Sequence, residues 1–425
     1  MNLYEHSVYL DAPKCNGCTT CLKHCPTQAI RIRNGHAVIN GERCIDCGEC
    51  IRACPNNAKK SKCKSLEAMD KFKWKIALPA PTLYGQFDNL DDIDYILDGL
   101  LKLGFDDVFE VAAAAELVSA YTRNYLKNSG VKKPAISSAC PVAVRLICLR
   151  FPSLKDNIIN ILPPMEIAAD LARKKAKAEH PELKDEEIGV CFISPCPAKV
   201  SYVKNGFADY KSKVDVVVSI KDIYFQLISV MKYGSEVKAM SNSGVVGVGW
   251  ASSGGEATAL FNEKYLAADG IDNVINVLEQ VENGNIPPLE FIELNGCTSG
   301  CVGGVLTIQN PFIARARLRS LRRYLPVTQN SIPNDKKDNV LEKISFGNLP
   351  EYRPISRLSD SMAESMRMMS EIQCLKKELP GIDCGSCGAP SCRAFAEDVV
   401  KGEASMEDCL ILKVKSCKGD TSDDG

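Results

Sequence analysis

The sequence predicts an α/β domain flanked by two small cysteine-rich modules. Between about residues 75 and 350, short apolar runs alternate with amphipathic stretches, which is the pattern of an α/β fold. Two closely spaced cysteine runs precede this region, and a third cysteine group follows it. We therefore divide the 425 residues into an N-terminal module (1–74), the α/β domain (75–350), a linker and helix (351–379) and a C-terminal module (380–425).

The composition is ordinary except for its cysteine content. Hydrophobic residues make up 45%, charged residues 25%, and the formal net charge is −1, so there is no electrostatic argument for binding nucleic acid or a membrane. No apolar run has the length of a membrane helix, and the N-terminus lacks the pattern of a signal peptide, so we expect a cytoplasmic protein. Disulfides are rare there, and 21 cysteines against 4 histidines favour iron–sulfur clusters over a disulfide scaffold or zinc.

The N-terminal cysteine runs have the spacing of a bacterial-type two-cluster ferredoxin, an α+β module that relays electrons. The runs Cys15–Pro26 and Cys44–Pro55 each read Cys-x2-Cys-x2-Cys-x3-Cys-Pro, and the fourth cysteine of such a run crosses to the other 4Fe-4S cluster. Two zinc knuckles are the alternative. Between the runs we expect a hairpin around Asn34-Gly35. The expected ligand sets are Cys15, Cys18, Cys21 and Cys54 for one cluster, and Cys44, Cys47, Cys50 and Cys25 for the other.

Three cysteine-bearing turns lie far apart in the α/β region, and an apolar run precedes each of them. The runs are Lys133–Ile136, Ile188–Ile193 and Leu289–Leu294. If these runs are strands, the cysteines lie just past strand ends, where open α/β sheets place their ligand sites. A four-thiolate set from three loops could then converge. Its members are Cys140, Cys196, Cys297 and Cys301.

The turns resemble the three signature loops of iron-only (FeFe) hydrogenases, which hold the H-cluster. The matching stretches are Ser137–Pro141, Ser194–Lys199 and Asn295–Gly304. The resemblance implies reversible H2 oxidation and proton reduction at a 4Fe-4S cluster joined to a two-iron subsite that carries CO, cyanide and a dithiolate bridge. It also implies that Cys301 bridges the two parts and that Lys199 hydrogen-bonds a cyanide, since an ammonium group suits an anionic ligand. A plain fourth cubane, with Lys199 on the surface, is the alternative.

The resemblance extends to residues that would approach the cofactor. Two glycine turns are similar to family turns near the two-iron subsite, and without Cβ atoms their backbone can come close to a bulky cluster. The implied cofactor-binding residues are Lys199, Pro195, Gly254, Gly255, Gly303 and Gly304.

The chain departs from the family pattern where a catalyst would move protons. Ala139 stands where family catalysts have a proton-relaying cysteine, Ser194 and Asn295 replace methionines, and Tyr202 replaces a glutamate, whereas Glu293 matches the family. A thiol can accept and donate a proton, and loss of a positioned proton-transfer group typically costs about 10²–10⁴ in rate. We therefore expect a slow enzyme suited to H2 or redox sensing. A substitute proton path could use water or side chains of Ser137, Ser138, Tyr202, Glu256 and Glu293.

The C-terminal cysteine group resembles the small 4Fe-4S domain of corrinoid iron–sulfur proteins and of sensory iron-only hydrogenases. Its spacing is Cys-x2-Cys-x4-Cys-x16-Cys, and a zinc site is the alternative. Its members are Cys384, Cys387, Cys392 and Cys409. Before it, apolar residues at helical spacing predict a helix that faces a core. This stripe consists of Leu358, Met362, Met366, Met369, Ile372 and Leu379.

The order of the three parts and the residue at 139 are most similar to the group D sensory hydrogenases. The resemblance implies H2 and protons as substrates, ferredoxin or another redox protein as electron partner, and a kinase or phosphatase as signalling partner; a homodimer is one arrangement. Two alternatives remain open. One is an efficient ferredoxin-linked hydrogenase with a different proton path, and the other is a non-catalytic relative that serves iron–sulfur assembly or electron transfer.

Overall fold

The computed structural model describes residues 4–206, 210–231, 237–331, 344–348 and 358–419. The chain forms two compact units, one joining residues 1–60 to residues 353–425 and the other spanning residues 61–352. The predicted linker at 351–357 and the chain from 420 onward lie outside the described residues. The two terminal modules, which the sequence presents as separate, thus belong to one unit.

The secondary structure alternates strands and helices through the larger unit. The strands are β1 (Val8–Leu10), β2 (Ile30–Arg33), β3 (His36–Ile39), β4 (Lys59–Ser61), β5 (Trp74–Pro79), β6 (Asp107–Val108), β7 (Ala135–Ile136), β8 (Ile188–Ser194), β9 (Val216–Ser219), β10 (Tyr265–Asp269) and β11 (Phe291–Asn295). The helices are α1 (Thr20–Lys23), α2 (Glu49–Arg52), α3 (Asp94–Lys102), α4 (Val111–Asn128), α5 (Pro141–Arg150), α6 (Pro164–Glu179), α7 (Pro197–Asn205), α8 (Ile220–Val230), α9 (Val245–Gly249), α10 (Gly255–Thr258), α11 (Ile271–Glu282), α12 (Pro311–Leu321), α13 (Met362–Glu378), α14 (Cys392–Val400) and α15 (Leu410–Gly419). None of the described helices combines the length and the apolar character that crossing a bilayer requires.

The larger unit contains two parallel sheets. One has the strand order β6-β5-β8-β9 and the other the order β10-β11-β7. Every residue of β8 is buried, as expected for a parallel strand covered on both faces, and its run of Val, Cys, Phe and Ile favours that environment. The three apolar runs predicted as strands are confirmed as β7, β8 and β11. They belong to two sheets, so the cysteine turns approach one another from different sheet edges.

The smaller unit begins with the predicted hairpin. β2 and β3 pair antiparallel, with Ile30 opposite Ile39 and Arg33 opposite His36. Asn34 (φ 51°) and Gly35 (φ 75°) both adopt positive φ, as a two-residue turn between right-twisted strands requires. β1 pairs with β4, which brings the start and the end of the N-terminal module together.

The methionine stripe before the C-terminal module was predicted to face a core, and this prediction is wrong for most of its members. Met362 is 76% and Met366 69% exposed, whereas Met368, Ile372 and Leu379 are buried. α13 does pack, but through a different face, against the core around Phe395. Periodicity identified the helix correctly and chose the wrong side, because Met-rich stripes at neighbouring positions are nearly equivalent in hydrophobicity.

A buried carboxylate on α4 holds two distant segments beside the larger unit's central cavity. Glu116 is only 2% exposed. It accepts hydrogen bonds from the backbone N–H of Gly244 (2.7 Å), Gln329 (2.9 Å) and Asn330 (2.9 Å) and from the Asn330 side chain (2.8 Å). Four donors satisfy a buried charge that would otherwise be costly. Because α4 also contributes Val111 and Ala115 to the cavity described below, this contact fixes one wall of it.

Replacing this carboxylate should loosen the larger unit. Glu116→Ala leaves several buried N–H groups without an acceptor, so we expect a loss of about 2–3 kcal/mol in unfolding free energy. Glu179→Ala, at an exposed position on α6, serves as the matched control and should change stability little. Equal denaturation midpoints for the two variants would contradict the role assigned to Glu116.

Candidate metal centre

The eight cysteines of the N-terminal runs surround two cavities, in the sets expected from their spacing. Cys15, Cys18, Cys21 and Cys54 line one cavity, and Cys25, Cys44, Cys47 and Cys50 line the other. The two repeats also match in detail. The N–H of Ala29 donates to Cys25 Sγ, and the N–H of Ala58 donates to Cys54 Sγ, each at 3.2 Å.

The C-terminal cysteines also converge. Cys384, Cys387, Cys392 and Cys409 line one cavity of the smaller unit. Asp383 accepts a hydrogen bond from the N–H of Cys392 at 2.6 Å, and Ser391 caps α14 through the N–H of Ala394 at 3.2 Å. These contacts fix the backbone on both sides of Cys392, which begins α14.

In the larger unit, the three turns bring four cysteines to one cavity. Cys140, Cys196, Cys297 and Cys301 all line it. Cys140 follows β7 and directly precedes α5, and Cys196 follows β8 and directly precedes α7; both helices begin with proline. Each of these two cysteines has an extended backbone, the conformation that a following proline favours. The sequence therefore fixes the direction of the chain at both sulfurs.

The thiols of this cavity need a metal to be ionised. Burial, with repulsion from neighbouring thiols, raises the pKa of Cys196 to about 12, and burial raises the pKa of Cys301 to about 11 despite attraction by Lys199. Cationic iron offsets this cost, because metal binding releases the thiol protons. Among the described residues, no group of three or more His, Cys, Asp or Glu side chains closes around a point that one ion could occupy. Cysteines that border a cavity fit a polynuclear cluster, whereas a zinc ion draws its four sulfurs to about 2.3 Å from one point.

Lys199 lines the same cavity and is half-buried rather than a freely exposed surface lysine. Its ammonium nitrogen lies 5.6 Å from the centre of the Phe192 ring, which gives it a weak cation–π contact. The charge lowers the proton affinity of both the Cys196 and Cys301 thiols. An ammonium beside four sulfurs can donate to an anionic ligand of the cluster, as expected from its spacing to Cys196.

The glycine turns have a different local cause from the one predicted. Gly304 lines the cavity, but a Cβ there would lie 2.3 Å from the Pro195 carbonyl, itself part of the cavity wall. A Cβ on Gly255 would lie 2.0 Å from the carbonyl of Gly249, and one on Gly303 2.0 Å from that of Thr298. These glycines are required by protein backbone packing around the cavity, not by direct approach to a cluster.

The remaining turn residues have structural partners. Gly254 (φ 82°) donates its N–H to Glu293, and Gly300 (φ 87°), which the sequence analysis did not single out, lines the cavity one residue before Cys301. Its position between two cysteines was the available signal. Ser194 is fully buried, and its hydroxyl accepts from the N–H of Cys196 at 3.1 Å. The structure thus gives Ser194 the work of shaping the turn.

Two buried carboxyl groups lie beside the position where a relay cysteine is absent. Glu256 and Glu293 both line the cavity, as does Ala139. The Ser137 hydroxyl donates to Glu256 Oε2 at 2.6 Å and accepts from the N–H of Ala139 at 3.1 Å. A hydrogen-bonded chain therefore runs from residue 139 to Glu256.

The environment keeps this carboxyl pair partly protonated. Burial raises the pKa of Glu256 to about 8, and repulsion by Glu293 adds to the effect. Burial also raises the pKa of Glu293, although the carboxylate accepts from the N–H of Ala257 (2.8 Å), Asn295 Nδ2 (2.7 Å) and the N–H of Gly254 (3.0 Å). Two close carboxyl groups in a buried site share protons, because both cannot ionise without strong repulsion. Tyr202, another residue of the predicted path, is buried, and burial raises the pKa of its hydroxyl.

Comparison with known families identifies each of the three parts. The model of the iron-only hydrogenase large subunit, C-terminal domain, matches residues 73–305, which is more than half of the chain. A 4Fe-4S dicluster domain matches residues 7–55, and a small Fe-S cluster domain matches residues 379–411. The predicted fold class is therefore confirmed: an H-cluster-type α/β domain with an N-terminal dicluster module and a C-terminal iron–sulfur module.

Individual relatives are distant. A probable cytosolic Fe-S cluster assembly factor of Drosophila erecta is 28% identical over 83 residues, covering 20% of this chain and 17% of that protein. Two variants of the FeFe-hydrogenase HydA1 from Chlamydomonas reinhardtii are 14% and 15% identical, cover 67% of this chain and 94% of theirs, and have a TM-score of 0.48.

The raised pKa of Glu256 makes stability depend on pH. This carboxyl is protonated in the folded protein but ionised in the unfolded chain between its usual pKa near 4.5 and about 8, so stability falls as pH rises through that window. Glu256→Gln cannot ionise and should remove a slope of at most about 1.4 kcal/mol per pH unit. Anaerobic denaturation at pH 5 to 8 measures it, with exposed Glu263→Gln as the control. Parallel pH profiles for wild type and Glu256→Gln would refute the assignment.

Proposed function

This chain belongs to the iron-only hydrogenase large-subunit family, and on that basis we propose that it interconverts H2 with protons and electrons at an H-cluster. The observation that carries the proposal is the single cavity lined by Cys140, Cys196, Cys297 and Cys301, with Lys199 beside them. We assign the four cysteines to the cubane and Cys301 to the bridge. When bound, the two-iron subsite supplies the heterolytic cleavage of H2.

The protein's own residues hold this cofactor and keep water away from it. The cavity wall is largely apolar, with Pro81, Val142, Phe192 and Leu294 among its members. In such a wall, the ammonium of Lys199 is the positive group that an anionic cyanide would meet. Exclusion of water strengthens this attraction, because the effective dielectric constant of the site is low.

We propose that Ser137, Glu256 and Glu293 handle protons in place of the cysteine that family catalysts carry at position 139. With a pKa near 8, Glu256 can hold and release a proton close to neutral pH. Its link to Ser137 leads to residue 139 at the cavity, and Glu293 offers a second carboxyl in the same group. Ala139 itself has no proton to move, so transfer must cross a longer gap than in a thiol relay, and turnover is slow.

A slow hydrogenase is suited to sensing. We propose that two N-terminal and one C-terminal 4Fe-4S clusters exchange electrons with ferredoxin or another redox protein, and that occupancy or redox state biases a conformation that a signalling partner, such as a kinase or phosphatase, recognises. The free state of the described cysteines is consistent with action in the reducing cytoplasm. This assignment corresponds to a group D sensory enzyme.

Two other functions compete with this one. An efficient metabolic hydrogenase would require rapid proton delivery through the carboxyl pair. A non-catalytic assembly or electron-transfer protein would bind cubanes but no two-iron subsite; the short match to an Fe-S cluster assembly factor makes this the alternative to exclude.

Infrared spectroscopy of protein matured with its cofactor tests the hydrogenase assignment. We expect CO and cyanide stretching bands, and a shift of the cyanide bands in Lys199→Ala because the ammonium donor is lost. Lys204→Ala removes an exposed lysine from the same helix and should leave the bands unchanged. Fully cubane-loaded protein without any such bands would favour the non-catalytic alternative.

Turnover of H2 tests the proton path. Ala139→Cys should raise activity because a positioned acid–base group typically contributes about 10²–10⁴ in rate. Glu256→Gln should lower the wild-type rate while the infrared bands stay, and Glu263→Gln should match wild type. If Glu256→Gln retains full activity, protons take another route; if wild type already equals Ala139→Cys, the metabolic alternative gains support.

A further inference from the structure

The N-terminal dicluster module and the C-terminal module meet at a charged contact within the smaller unit. Three arginines come from the first module and two carboxylates from the second; together they are called the arginine–carboxylate interface. Its members are Arg31, Arg33, Arg43, Glu397 and Asp398.

The pairs in this interface are shielded from solvent. Asp398 is bound bidentately by Arg31, with Nε at 2.6 Å from Oδ2 and Nη2 at 2.9 Å from Oδ1, and Arg33 Nη2 lies 2.6 Å from Oδ2. Arg43 Nη2 lies 2.5 Å from Glu397 Oε1. The Asp398 side chain is 3% exposed, and those of Arg43 and Glu397 are 11% exposed. Solvent-exposed ion pairs hold little, whereas buried pairs with bidentate geometry fix orientation.

A backbone contact brings the two cysteine groups close together. The N–H of Ile32, on β2, donates to the carbonyl of Gly388 at 2.9 Å. Gly388 directly follows Cys387, and Ile32 lines the cavity bounded by Cys15, Cys18, Cys21 and Cys54. Gly388 has φ of +80°, and a Cβ there would lie 2.3 Å from the Ile32 carbonyl, so the approach requires glycine.

A second contact joins the same two cysteine groups. Gly385 lies between Cys384 and Cys387, and a Cβ built on it would lie 3.4 Å from Leu22 Cδ2 and 3.5 Å from Lys23 Cε. Leu22 directly follows Cys21. The C-terminal cysteine loop therefore lies against residues adjoining the ligands of one N-terminal cluster, on both α1 and β2.

We propose that the cluster on Cys384, Cys387, Cys392 and Cys409 exchanges electrons directly with the cluster on Cys15, Cys18, Cys21 and Cys54. The shortest connection on the page runs from Cys387 through Gly388 and its hydrogen bond to Ile32. One electron passes, so one cluster is oxidised by the electron that reduces the other, and no bond forms or breaks. The arginine–carboxylate interface holds the two sites at fixed separation, on which the rate of electron tunnelling depends steeply.

This inference goes beyond the proposed function, and it does not require the two-iron subsite. Missing CO and cyanide bands would remove the hydrogen chemistry and leave the contact between these clusters untouched. Conversely, a bound two-iron subsite says nothing about whether the C-terminal cluster is in series with the N-terminal ones.

Electron paramagnetic resonance of the fully reduced full-length protein tests the inference. Two reduced clusters that are neighbours interact magnetically, so the wild-type spectrum should not equal the spectrum of a Cys384→Ala/Cys387→Ala variant plus that of one isolated paramagnetic centre. Equality of the two would overturn the proposal. Iron and sulfide content must show that the variant has lost only one cluster.

Interface variants with all clusters retained give the second measurement. Asp398→Arg turns attraction to Arg31 and Arg33 into repulsion and should abolish the additional magnetic interaction, whereas Glu403→Arg, an exposed position of the same module, should preserve it. Gly388→Ala should weaken the interaction, and Gly402→Ala should not. Gly402 has a similar φ of +72° but open space around its Cβ position, so it controls for backbone strain. An interaction unchanged in both Asp398→Arg and Gly388→Ala would overturn the route.

Discussion

Sulfur atoms from distant parts of the chain must be held around one cavity before any cluster can bind, and the larger unit solves this with strand ends. Cys140 and Cys196 each stand between a buried parallel strand and a helix that begins with proline. The strand fixes where the chain leaves the sheet, and proline fixes φ at the start of the helix. Buried hydrogen bonds such as those of Ser194 and Glu116 then hold the intervening loops. The positions of the thiols are thus a property of the backbone, which stays in place when side chains around the cavity vary.

The carboxyl pair beside Ala139 shows how burial can substitute for a thiol. A carboxyl group in water is fully ionised at neutral pH and carries no exchangeable proton. Burial and mutual repulsion raise the pKa of Glu256 into the range where a cysteine would operate. The folded state is destabilised by this arrangement, and proteins retain such a group where a protonatable side chain is needed. The N–H groups that bind Glu293 limit the cost by satisfying the charge that remains.

Cysteine spacing predicted the ligand sets because iron–sulfur clusters impose short, regular separations within a loop. It predicted the sets even where the fourth member crosses between repeats, as Cys25 and Cys54 do. Apolar runs predicted β7, β8 and β11, but not their distribution over two sheets, since strand pairing is a long-range property. The arginine–carboxylate interface was beyond prediction for the same reason: Arg31 and Asp398 are 367 positions apart, and isolated charges resemble solvated ones in a sequence. Helical periodicity likewise could not distinguish Met366 from Met368 as the buried face.

The repeated amide–sulfur contacts of the N-terminal module have a consequence for how charge is stored. Ala29 and Ala58 donate to Cys25 and Cys54 at the same distance and the same offset along the chain. Hydrogen bonds to ligand sulfurs are among the factors that set a cluster's reduction potential. Matching bonds on the two crossed ligands remove one source of asymmetry, so we expect a single electron entering this module to be delocalised over both halves rather than trapped in one. The pair would behave as a small capacitor with nearly level plates.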